Sequence, residues 1–407
     1  MLIKYCFHLG REEKLSLAEL ETIFRGMIIE SHNRIAIIEI KNLSDPQKLL
    51  NELGGILKIS EIFKELGENQ ENLIEQSLIK ALKSQKPTGK LIFGLNVAPQ
   101  DDHFLNKTLK NLKQILKSKG RNPRFINKLG NLNTAIIVKS GLMKYGTDFN
   151  IIRSSLKTYL SGTVAIQNVH NYSQRDYEKP VRLDKEGMLP PKLAQLMINL
   201  TGLTNFQENL PDSYATNYEN FGYFENLKNK TLYDPFCGSG TVLGEGLIKG
   251  MNIIGSDLEP KAIEAAIKNL TWLEQKKFFN PEQTKKLFIK DVTTLTNTDL
   301  PKSPDCVVSE VYLGPAQTKS LRKNEIENIH TNLLALYQKG FQALHPLLIK
   351  HTPLVIAFPL YYDHNKKIPI PNLKEILEKI GYNIAYTTIY HRPEQIVGRE
   401  IFVMERV

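Results

Sequence analysis

One stretch decides the fold of the C-terminal half: Leu232–Thr241, which reads LYDPFCGSGT. A short apolar run leads into a turn with two glycines, and the apolar segment from Val242 predicts a helix. In an open parallel sheet, a strand, a tight turn and a helix in this order let a ligand approach the backbone at the carboxyl edge. Neither GxGxxG nor GxxxxGK[ST] is present, and the charge of Asp234 would repel a phosphate. The stretch therefore favours a cationic ligand over a pyrophosphate.

Two further acids follow predicted strands at the spacing of successive βαβ units. Asp257 ends the run IIGSD, at the position where a ribose diol is held, and Asp291 ends FIKD, where it could meet an adenine amino group. The alternative for each acid alone is a helix N-cap. The three carboxylates together with a turn that disfavours phosphate indicate S-adenosyl-L-methionine rather than NAD.

The rest of the C-terminal half alternates strands and helices, which predicts a doubly wound α/β sheet. Seven strands are expected, and the last two are expected to form an antiparallel hairpin at a modified edge. They are expected at about 231–233, 252–256, 286–289, 306–309, 353–358, 384–390 and 401–405. A helix at 192–200, begun by two prolines, precedes them.

The N-terminal half predicts two smaller α/β units. Residues 1–64 show a βαββαβ order typical of a ferredoxin-like domain. Residues 65–170 continue with strands and helices, including strands expected at 134–139 and 163–169. The polar, charged run at 171–186 is interpreted as a linker, and 187–407 as the Rossmann-like domain.

Positive charge is concentrated in the second of these units. No Asp or Glu occurs from His103 to Thr147, and the lysines at 107–117 recur at helical spacing opposite an apolar side. The alternative is an ordinary solvated face, but such faces usually interleave Glu with Lys. We therefore expect an RNA phosphate-binding surface. Its candidate residues are Lys107, Lys110, Lys113, Lys117, Arg121 and Arg124.

Composition sets the broad class. The 407 residues carry 53 Lys and Arg against 43 Asp and Glu, a net charge of +10, which favours a polyanionic partner such as nucleic acid. The three cysteines are scattered and suggest neither a disulfide framework nor a zinc site. No apolar run is long enough to cross a membrane and no signal-peptide pattern is present, so a cytoplasmic protein without membrane or metal association is expected.

The motifs together resemble a known family. The segment Asp234–Thr241 resembles the first motif of the amino-methylating class I methyltransferases. More widely, the chain resembles the THUMP-domain tRNA guanine-N2 methyltransferases, which join a ferredoxin-like domain, a THUMP domain and a catalytic domain. The resemblance extends over LGR at 9–11, LGGILKI at 53–59, YGTDF at 145–149 and GMLPPKLA at 187–194. It implies that tRNA is the partner; whether a small activating protein subunit is needed stays open.

The resemblance also assigns a cofactor site, in three parts. The turn at 234–240 would surround the methionine part of the cofactor, Asp257 with Leu258 would bind the ribose, and Asp291 with Val292 would bind the adenine. Three residues of the preceding helix would close the site. The complete set is Pro190, Lys192, Leu193, Asp234, Phe236, Cys237, Gly238, Ser239, Gly240, Asp257, Leu258, Asp291 and Val292. Cys237 is interpreted as a small packed turn residue rather than a nucleophile, since no partner His lies near it in the sequence.

The catalytic motif departs from the family pattern. Where the family has [Asp/Asn/Ser]-Pro-Pro-[Tyr/Phe/Trp], this chain has Ser309-Glu310-Val311-Tyr312. The amine of guanine is a poor nucleophile, so the enzyme must orient its lone pair with hydrogen-bond acceptors, and two prolines would hold a backbone carbonyl rigidly. Glu310 adds a carboxylate that could accept a proton or stabilise a developing cation. Tyr312 could stack on a flipped-out base. The alternatives are a surface carboxylate and a core aromatic.

Three outcomes follow from this departure. The motif could be a working variant that methylates guanine N2, which is the favoured interpretation. It could accept a different base, or an amine in another nucleic acid such as DNA. It could also be impaired, leaving a protein that binds tRNA without modifying it; the intact cofactor motif argues against this outcome.

Overall fold

The computed structural model describes residues 2–407 except 68–69, 71, 86–89, 183–187, 204–226, 318–320, 364–365 and 393–394. The described residues form two mixed α/β sheets. The first has the order β2-β3-β1-β4-β8-β7-β5-β6 and belongs to the N-terminal half. The second has the order β11-β10-β9-β12-β13-β16-β15, with the short β14 paired to β13. Both sheets fit the α/β class expected from the sequence.

The first 67 residues have the ferredoxin-like topology that the sequence predicts. The elements are β1 (Leu2–Leu9), α1 (Glu13–Ile23), β2 (Ile28–His32), β3 (Ile35–Lys41), α2 (Pro46–Asn51) and β4 (Ile56–Gly67). All strand pairs are antiparallel and the helices cover one face, where the core includes Phe7, Phe24 and Ile38. Since β4 also pairs with β8 of the next unit, the boundary expected at 64/65 falls inside this strand.

The second unit extends the same sheet. Its elements are α3 (Asn72–Gln85), β5 (Lys90–Ala98), α4 (Asp102–Ser118), β6 (Asn122–Phe125), α5 (Thr134–Lys139), α6 (Leu142–Tyr145), β7 (Thr147–Arg153), β8 (Lys157–Ile166) and α7 (Val169–Tyr177). The predicted basic helix is α4; the side chain of Asp101 caps it by accepting the Phe104 N–H at 2.9 Å. Leu105, Leu109, Leu112 and Leu116 bury its apolar side.

The strand expected at 134–139 is wrong: this segment is helix α5. Its β-branched residues favour a strand, but the neighbouring strand offers no free edge for one. The side chains of Asn127 and Asn131 bond the backbone N–H and C=O of Leu95 and Val97, where a pairing strand would lie. Asn133 then caps α5 by accepting the Ile136 N–H at 2.9 Å.

The end of the second unit also differs from expectation. The strand expected at 163–169 is β8, which ends at Ile166, and α7 begins at Val169. Helix α7 occupies the first part of the segment interpreted as a linker. The side chain of Asn168 caps it at 3.0 Å from the Asn171 N–H, which the sequence interpretation overlooked. Residues 183–187, where the linker was expected to end and the catalytic domain to begin, lie outside the described residues.

The C-terminal sheet carries seven strands in one path, as predicted. Its elements are α8 (Pro191–Asn199), β9 (Thr231–Asp234), α9 (Thr241–Ile248), β10 (Asn252–Asp257), α10 (Pro260–Gln275), β11 (Lys285–Ile289), β12 (Cys306–Glu310), α11 (Lys323–Leu344), β13 (Pro353–Asp363), β14 (Lys366–Ile368), α12 (Leu373–Ile380), β15 (Tyr382–Tyr390) and β16 (Val397–Arg406). Five strands are parallel, and β16 is antiparallel to β13 and β15. Strands β9 and β12 are adjacent although β10 and β11 separate them in the chain, so the topological switch point lies between them.

Buried polar contacts join the two halves of the molecule. The carboxylate of Glu19 is fully buried and accepts the N–H groups of Gly54 and Gly55 at 2.8 Å and the Asn199 side chain at 2.6 Å. From the C-terminal half, Lys249 donates to the carboxylate and the carbonyl of Glu52, both at 3.0 Å. A Cβ on Gly54 would lie 2.2 Å from the carbonyl oxygen of Lys192. These contacts fix the ferredoxin-like domain against α8 and α9.

Candidate cofactor and base site

A cavity of about 630 Å³ lies at the switch point of the C-terminal sheet. Its walls come from the ends of β9, β10 and β12, the turn after β11, and the segment before α8. Nine of the thirteen predicted cofactor residues line it: Asp234, Phe236, Cys237, Gly238, Ser239, Asp257, Leu258, Asp291 and Val292. Two of the three predicted catalytic residues, Glu310 and Tyr312, line it as well. The size is within the range usual for small-molecule sites.

The turn after β9 is held open by glycines and by a carboxylate of the next strand. Gly238 (φ +49°) and Gly240 (φ +83°) both adopt the left-handed conformation that favours glycine. The Gly238 N–H donates to Asp257 Oδ2 at 2.9 Å, and the Glu259 N–H donates to Asp257 Oδ1 at 3.0 Å. The turn after β9 and Asp257 are therefore joined in one hydrogen-bonded unit.

Asp234 is the most buried acid of the cavity. It is 1% exposed, and its Oδ1 accepts the hydroxyl of Ser309 at 2.6 Å and the Phe236 N–H at 3.1 Å. Burial raises the pKa of Asp234 to about 7, and the charges of Asp257 and Glu310 add to the rise, whereas its two hydrogen bonds oppose it. Burial also raises the pKa of Asp257. A cation in the cavity would offset both effects, so the cavity suits a positively charged ligand.

Asp291 lies in the turn after β11. Its Oδ1 accepts from the N–H and the hydroxyl of Thr293, both at 2.8 Å, and caps the short 3₁₀ helix Val292–Thr294. The helix-cap alternative weighed for this residue is therefore realised, and the residue still lines the cavity. Cys237 is 4% exposed, and burial raises the pKa of its thiol well above the usual value, as a packed turn residue requires.

Four predicted cofactor residues do not line this cavity. Gly240 begins α9 and faces Ala266 of α10, with its missing Cβ only 3.1 Å from the Ala266 side chain. Pro190, Lys192 and Leu193 line a separate cavity between the two halves, because α8 turns them toward the ferredoxin-like domain. The segment before α8 contributes Met188 and Leu189 to the cofactor cavity instead.

Ser309 has a different place from the one expected. It is fully buried, does not line the cavity, and donates its hydroxyl to Asp234. It therefore connects the catalytic motif to the cofactor motif rather than facing a substrate.

Glu310 forms a buried ion pair that sequence reasoning missed. Its Oε1 accepts from Nε of Arg399 at 2.8 Å, and the two side chains are 14% and 3% exposed. Arg399 also donates to the Gln395 side chain at 3.2 Å. Alternation along β16 places Arg399 on the same face as Ile401 and Val403, which belong to the core, and this was the available signal.

The loop after Glu310 is held by two buried tyrosines. The hydroxyl of Tyr337 on α11 donates to the carbonyl of Tyr312 at 2.5 Å, and that of Tyr361 on β13 donates to the carbonyl of Leu313 at 2.7 Å. Gly314 follows at φ +94°, where a Cβ would lie 2.5 Å from the Tyr361 hydroxyl oxygen. The ring of Tyr312 is 48% exposed at the cavity wall. Tertiary hydrogen bonds thus hold the two carbonyls that directly follow the positions at which the motif resembled here has prolines.

The predicted RNA-binding residues lie on or next to α4. Lys107, Lys110, Lys117 and Arg124 are exposed, whereas Lys113 and Arg121 are half-buried. The Nζ atom of Lys113 lies 5.4 Å from the centre of the Phe125 ring. Among the described residues, no cluster of His, Cys, Asp and Glu suits a metal ion, and no helix is long and apolar enough to cross a membrane.

The strand order of the C-terminal sheet defines a Rossmann-like fold, and solved structures that include described methyltransferases share it. TrmN from Thermus thermophilus matches with a TM-score of 0.54 and 13% identity, covering 100% of both chains. SMU.472, a putative methyltransferase solved in complex with SAH, matches with a TM-score of 0.50 and 12% identity over 100% of this chain and 98% of that chain. At such identities the likeness concerns the fold.

Sequence relatives are more specific. A protein of Pyrococcus abyssi named tRNA (guanine(10)-N2)-dimethyltransferase is 21% identical over 232 residues, which are 57% of this chain and 52% of that protein. This confirms the resemblance to tRNA guanine-N2 methyltransferases that the motifs predicted. The chain spans about half the length of the curated relatives it matches. No family model matches the chain.

Proposed function

We propose that the protein is an S-adenosylmethionine-dependent methyltransferase that modifies the exocyclic N2 amine of a guanosine in tRNA. The observation that carries this proposal is the single cavity shared by Asp234, Asp257, Asp291, Glu310 and Tyr312. The relative from Pyrococcus abyssi supports the substrate class. The SAH in the SMU.472 structure supports the cofactor.

The residues of the cavity fit S-adenosylmethionine. Asp234 would face the cationic methionine part, Asp257 would accept from the ribose hydroxyls, and Asp291 with Val292 would contact the adenine. When bound, the cofactor supplies an electrophilic methyl group on a sulfonium. Pro190, Lys192 and Leu193 are not part of this proposed set, since they line the other cavity.

The backbone at Glu310 suits an amine donor. In a parallel ladder, successive residues direct their backbone groups to opposite neighbouring strands. The Val311 N–H donates to the Ala357 carbonyl of β13 at 3.2 Å, so the carbonyl of Glu310 faces the β9 side. Register pairs Val307 with Tyr233, so Glu310 lies beyond the end of β9. Its carbonyl can therefore accept a hydrogen bond from a guanine amine in the switch-point crevice.

The side chains complete the arrangement. Tyr312 stacks on the flipped-out base, an interaction worth roughly 1–3 kcal/mol in single-stranded nucleic-acid sites. Methylation of the amine would place a positive charge on its nitrogen, balanced by loss of the positive charge on the sulfonium. The ion-paired carboxylate of Glu310 is a fixed negative charge that stabilises this cation. The excess proton on the nitrogen then passes to solvent.

Nucleoside mass spectrometry tests the reaction. Unmodified tRNA incubated with the protein and S-adenosylmethionine should yield N2-methylated guanosine. Cofactor and tRNA binding without a methylated nucleoside would instead favour the non-catalytic RNA-binding alternative, and a product on another base or on DNA would favour the second alternative. Running the assay on the isolated chain also tests whether an activating subunit is required.

The tRNA-binding surface is proposed to lie on the exposed face of α4. Replacing Lys110, Lys113 and Lys117 by Glu should weaken tRNA binding roughly 100-fold and flatten its salt dependence, because each lost phosphate contact lowers the slope by about one. Fluorescence anisotropy across a salt series measures both quantities. An unchanged slope would contradict this assignment.

A cytoplasmic location is part of the same proposal; the three cysteines are buried and free, which suits a reducing compartment.

A further inference from the structure

A second cavity, of about 560 Å³, lies between the two halves of the molecule, and we call it the seam cavity. The ferredoxin-like domain contributes Arg11 and the glycines at 54 and 55, α7 contributes Tyr172 and Tyr177, and the start of α8 contributes Lys192. The end of β15 adds Tyr390 and Arg392. The reaction proposed above uses none of these residues, so the cavity is unexplained.

The seam cavity adjoins the cofactor cavity. Met188 and Leu189 line the cofactor cavity, and the next residue, Pro190, lines the seam cavity. Arg392 lies two residues after Tyr390, the last residue of β15, which pairs with Arg399 of β16. Val397, the first residue of β16, pairs with Tyr361 near the carboxyl end of β13, so Arg392 lies near the carboxyl edge of the sheet, as Glu310 does. One chain segment separates the two cavities along the same edge.

The lining of the seam cavity suits a phosphate beside an aromatic ring. Arg11, Lys192 and Arg392 provide three cations, against the two acids Glu12 and Asp176. Lys192 donates to the Gln167 side chain, and Arg392 donates from Nε to the Tyr390 hydroxyl at 2.7 Å. Tyr177 is 60% exposed, and the guanidinium carbon of Arg182 lies 5.5 Å from the centre of its ring, which leaves the opposite ring face for a base.

The cations also crowd each other. Burial lowers the pKa of Lys192, and the charges of Arg392 and Arg175 lower it further, whereas Asp176 raises it. An anion bound among these groups would relieve this repulsion. Arginine binds phosphate through two parallel N–H donors, which makes Arg11 and Arg392 the better phosphate ligands.

We propose that the seam cavity binds a nucleotide that flanks the target guanosine in the same RNA strand, with Arg11 and Arg392 on its phosphate and Tyr177 stacked on its base. The inference rests on the proposed function, since the target base occupies the adjacent cavity. It adds a nucleotide site to the α4 surface and to the cofactor cavity, and it makes residues of both halves contact the RNA next to the reaction.

The test compares an Arg11→Ala/Arg392→Ala double variant with Lys14→Ala. Lys14 is an exposed cation of α1, three residues after Arg11 in the chain, and it does not line the cavity. Binding of a fluorescent, unmodified tRNA transcript is measured across a salt series, and S-adenosylmethionine binding is measured by calorimetry. The double variant should bind tRNA at least ten-fold more weakly, with a salt slope shallower by about 0.7 to 1, and should bind the cofactor normally. Lys14→Ala should match the wild type.

A second variant separates stacking from charge. Tyr177→Ala should weaken tRNA binding at least five-fold without changing the salt slope, and Tyr177→Phe should restore it. If the wild-type protein methylates tRNA and the double variant binds tRNA with normal affinity, the seam-cavity proposal is overturned and the proposed function is not. A wild type that neither binds nor methylates tRNA would overturn the proposed function and the seam site together. Adenosine monophosphate is also tested as a ligand. If it binds the wild type but not the double variant, and tRNA affinity is unchanged, the cavity binds a free nucleotide and the proposal that RNA occupies it is overturned.

Discussion

Two loops at the switch point reach similar rigidity by different means. The loop after β9 has the residues of the motif that it resembles and is held by its own glycines and by Asp257. The loop after β12 lacks the two prolines of the motif that it resembles and is held by the hydroxyls of Tyr337 and Tyr361, from distant parts of the chain. Local sequence therefore suffices to build the first loop, whereas the second depends on the completed fold.

Removing the charge of Asp234 should have the largest effect on the first loop. Asp234→Asn keeps a hydrogen-bonding side chain of the same shape but removes the negative charge that faces the cofactor. We expect S-adenosylmethionine affinity to fall at least 100-fold, measured by calorimetry, with turnover falling in parallel. Glu259→Gln, an acid at the same cavity wall without an assigned role, is the control. Cofactor affinity within three-fold of wild type in Asp234→Asn would refute the assignment.

The raised pKa of Asp234 makes cofactor affinity depend on pH. Because the carboxyl ionises at about 7, the Kd should rise roughly ten-fold per pH unit below 7 and level off above it. In the absence of ligand, the free energy of unfolding changes with pH in the opposite direction to cofactor affinity. The folded state binds more protons than the unfolded state between about pH 4 and 7, so this group lowers stability as pH rises through that range. Asp234→Asn should flatten the pH profiles of both cofactor Kd and the free energy of unfolding. A wild-type Kd that does not change with pH would contradict the predicted role of Asp234.

Breaking the ion pair of the second loop should affect both stability and turnover. Arg399→Gln leaves Glu310 partly buried without its cation, at a cost of about 3 kcal/mol in the free energy of unfolding. Glu310→Gln in the same chain should recover most of that stability but not the turnover. Urea denaturation together with single-turnover kinetics measures both effects. Equal loss of stability in the single and double variants would show that the pair is not coupled.

The smallest effects are expected for the tyrosine hydroxyls. Tyr337→Phe and Tyr361→Phe each remove one donor to a loop carbonyl and keep the ring in the core. We expect a loss of about 1 kcal/mol in stability and roughly a ten-fold loss in the rate of methyl transfer, with unchanged cofactor affinity. Tyr382→Phe, whose hydroxyl donates to the Phe341 carbonyl away from the cavity, is the control. If its methyl-transfer rate drops as far as theirs, loop rigidity is not the cause.

The same contrast explains what the sequence could predict. The cofactor loop, its acids and the seven strands follow from local patterns, since each acid ends or closely follows a recognisable strand. Arg399, Tyr337 and Tyr361 act across the fold, and no spacing in the sequence connects them to Glu310. Helix α5 shows the limit for secondary structure, because asparagine side chains from a loop occupy the strand edge that its β-branched residues would have joined.

The buried contacts of Glu19 and Lys249 have a consequence for binding. They hold the N-terminal sheet, on which α4 packs, against the C-terminal half, so a tRNA bound at the proposed α4 surface would meet the cavity at a fixed separation. The effective concentration of the target nucleotide at the cavity then depends on the length of RNA between the two contacts. Two individually weak contacts can in this way give a tight complex. A nucleotide at the wrong distance along the RNA does not have its effective concentration at the cavity raised by binding at α4.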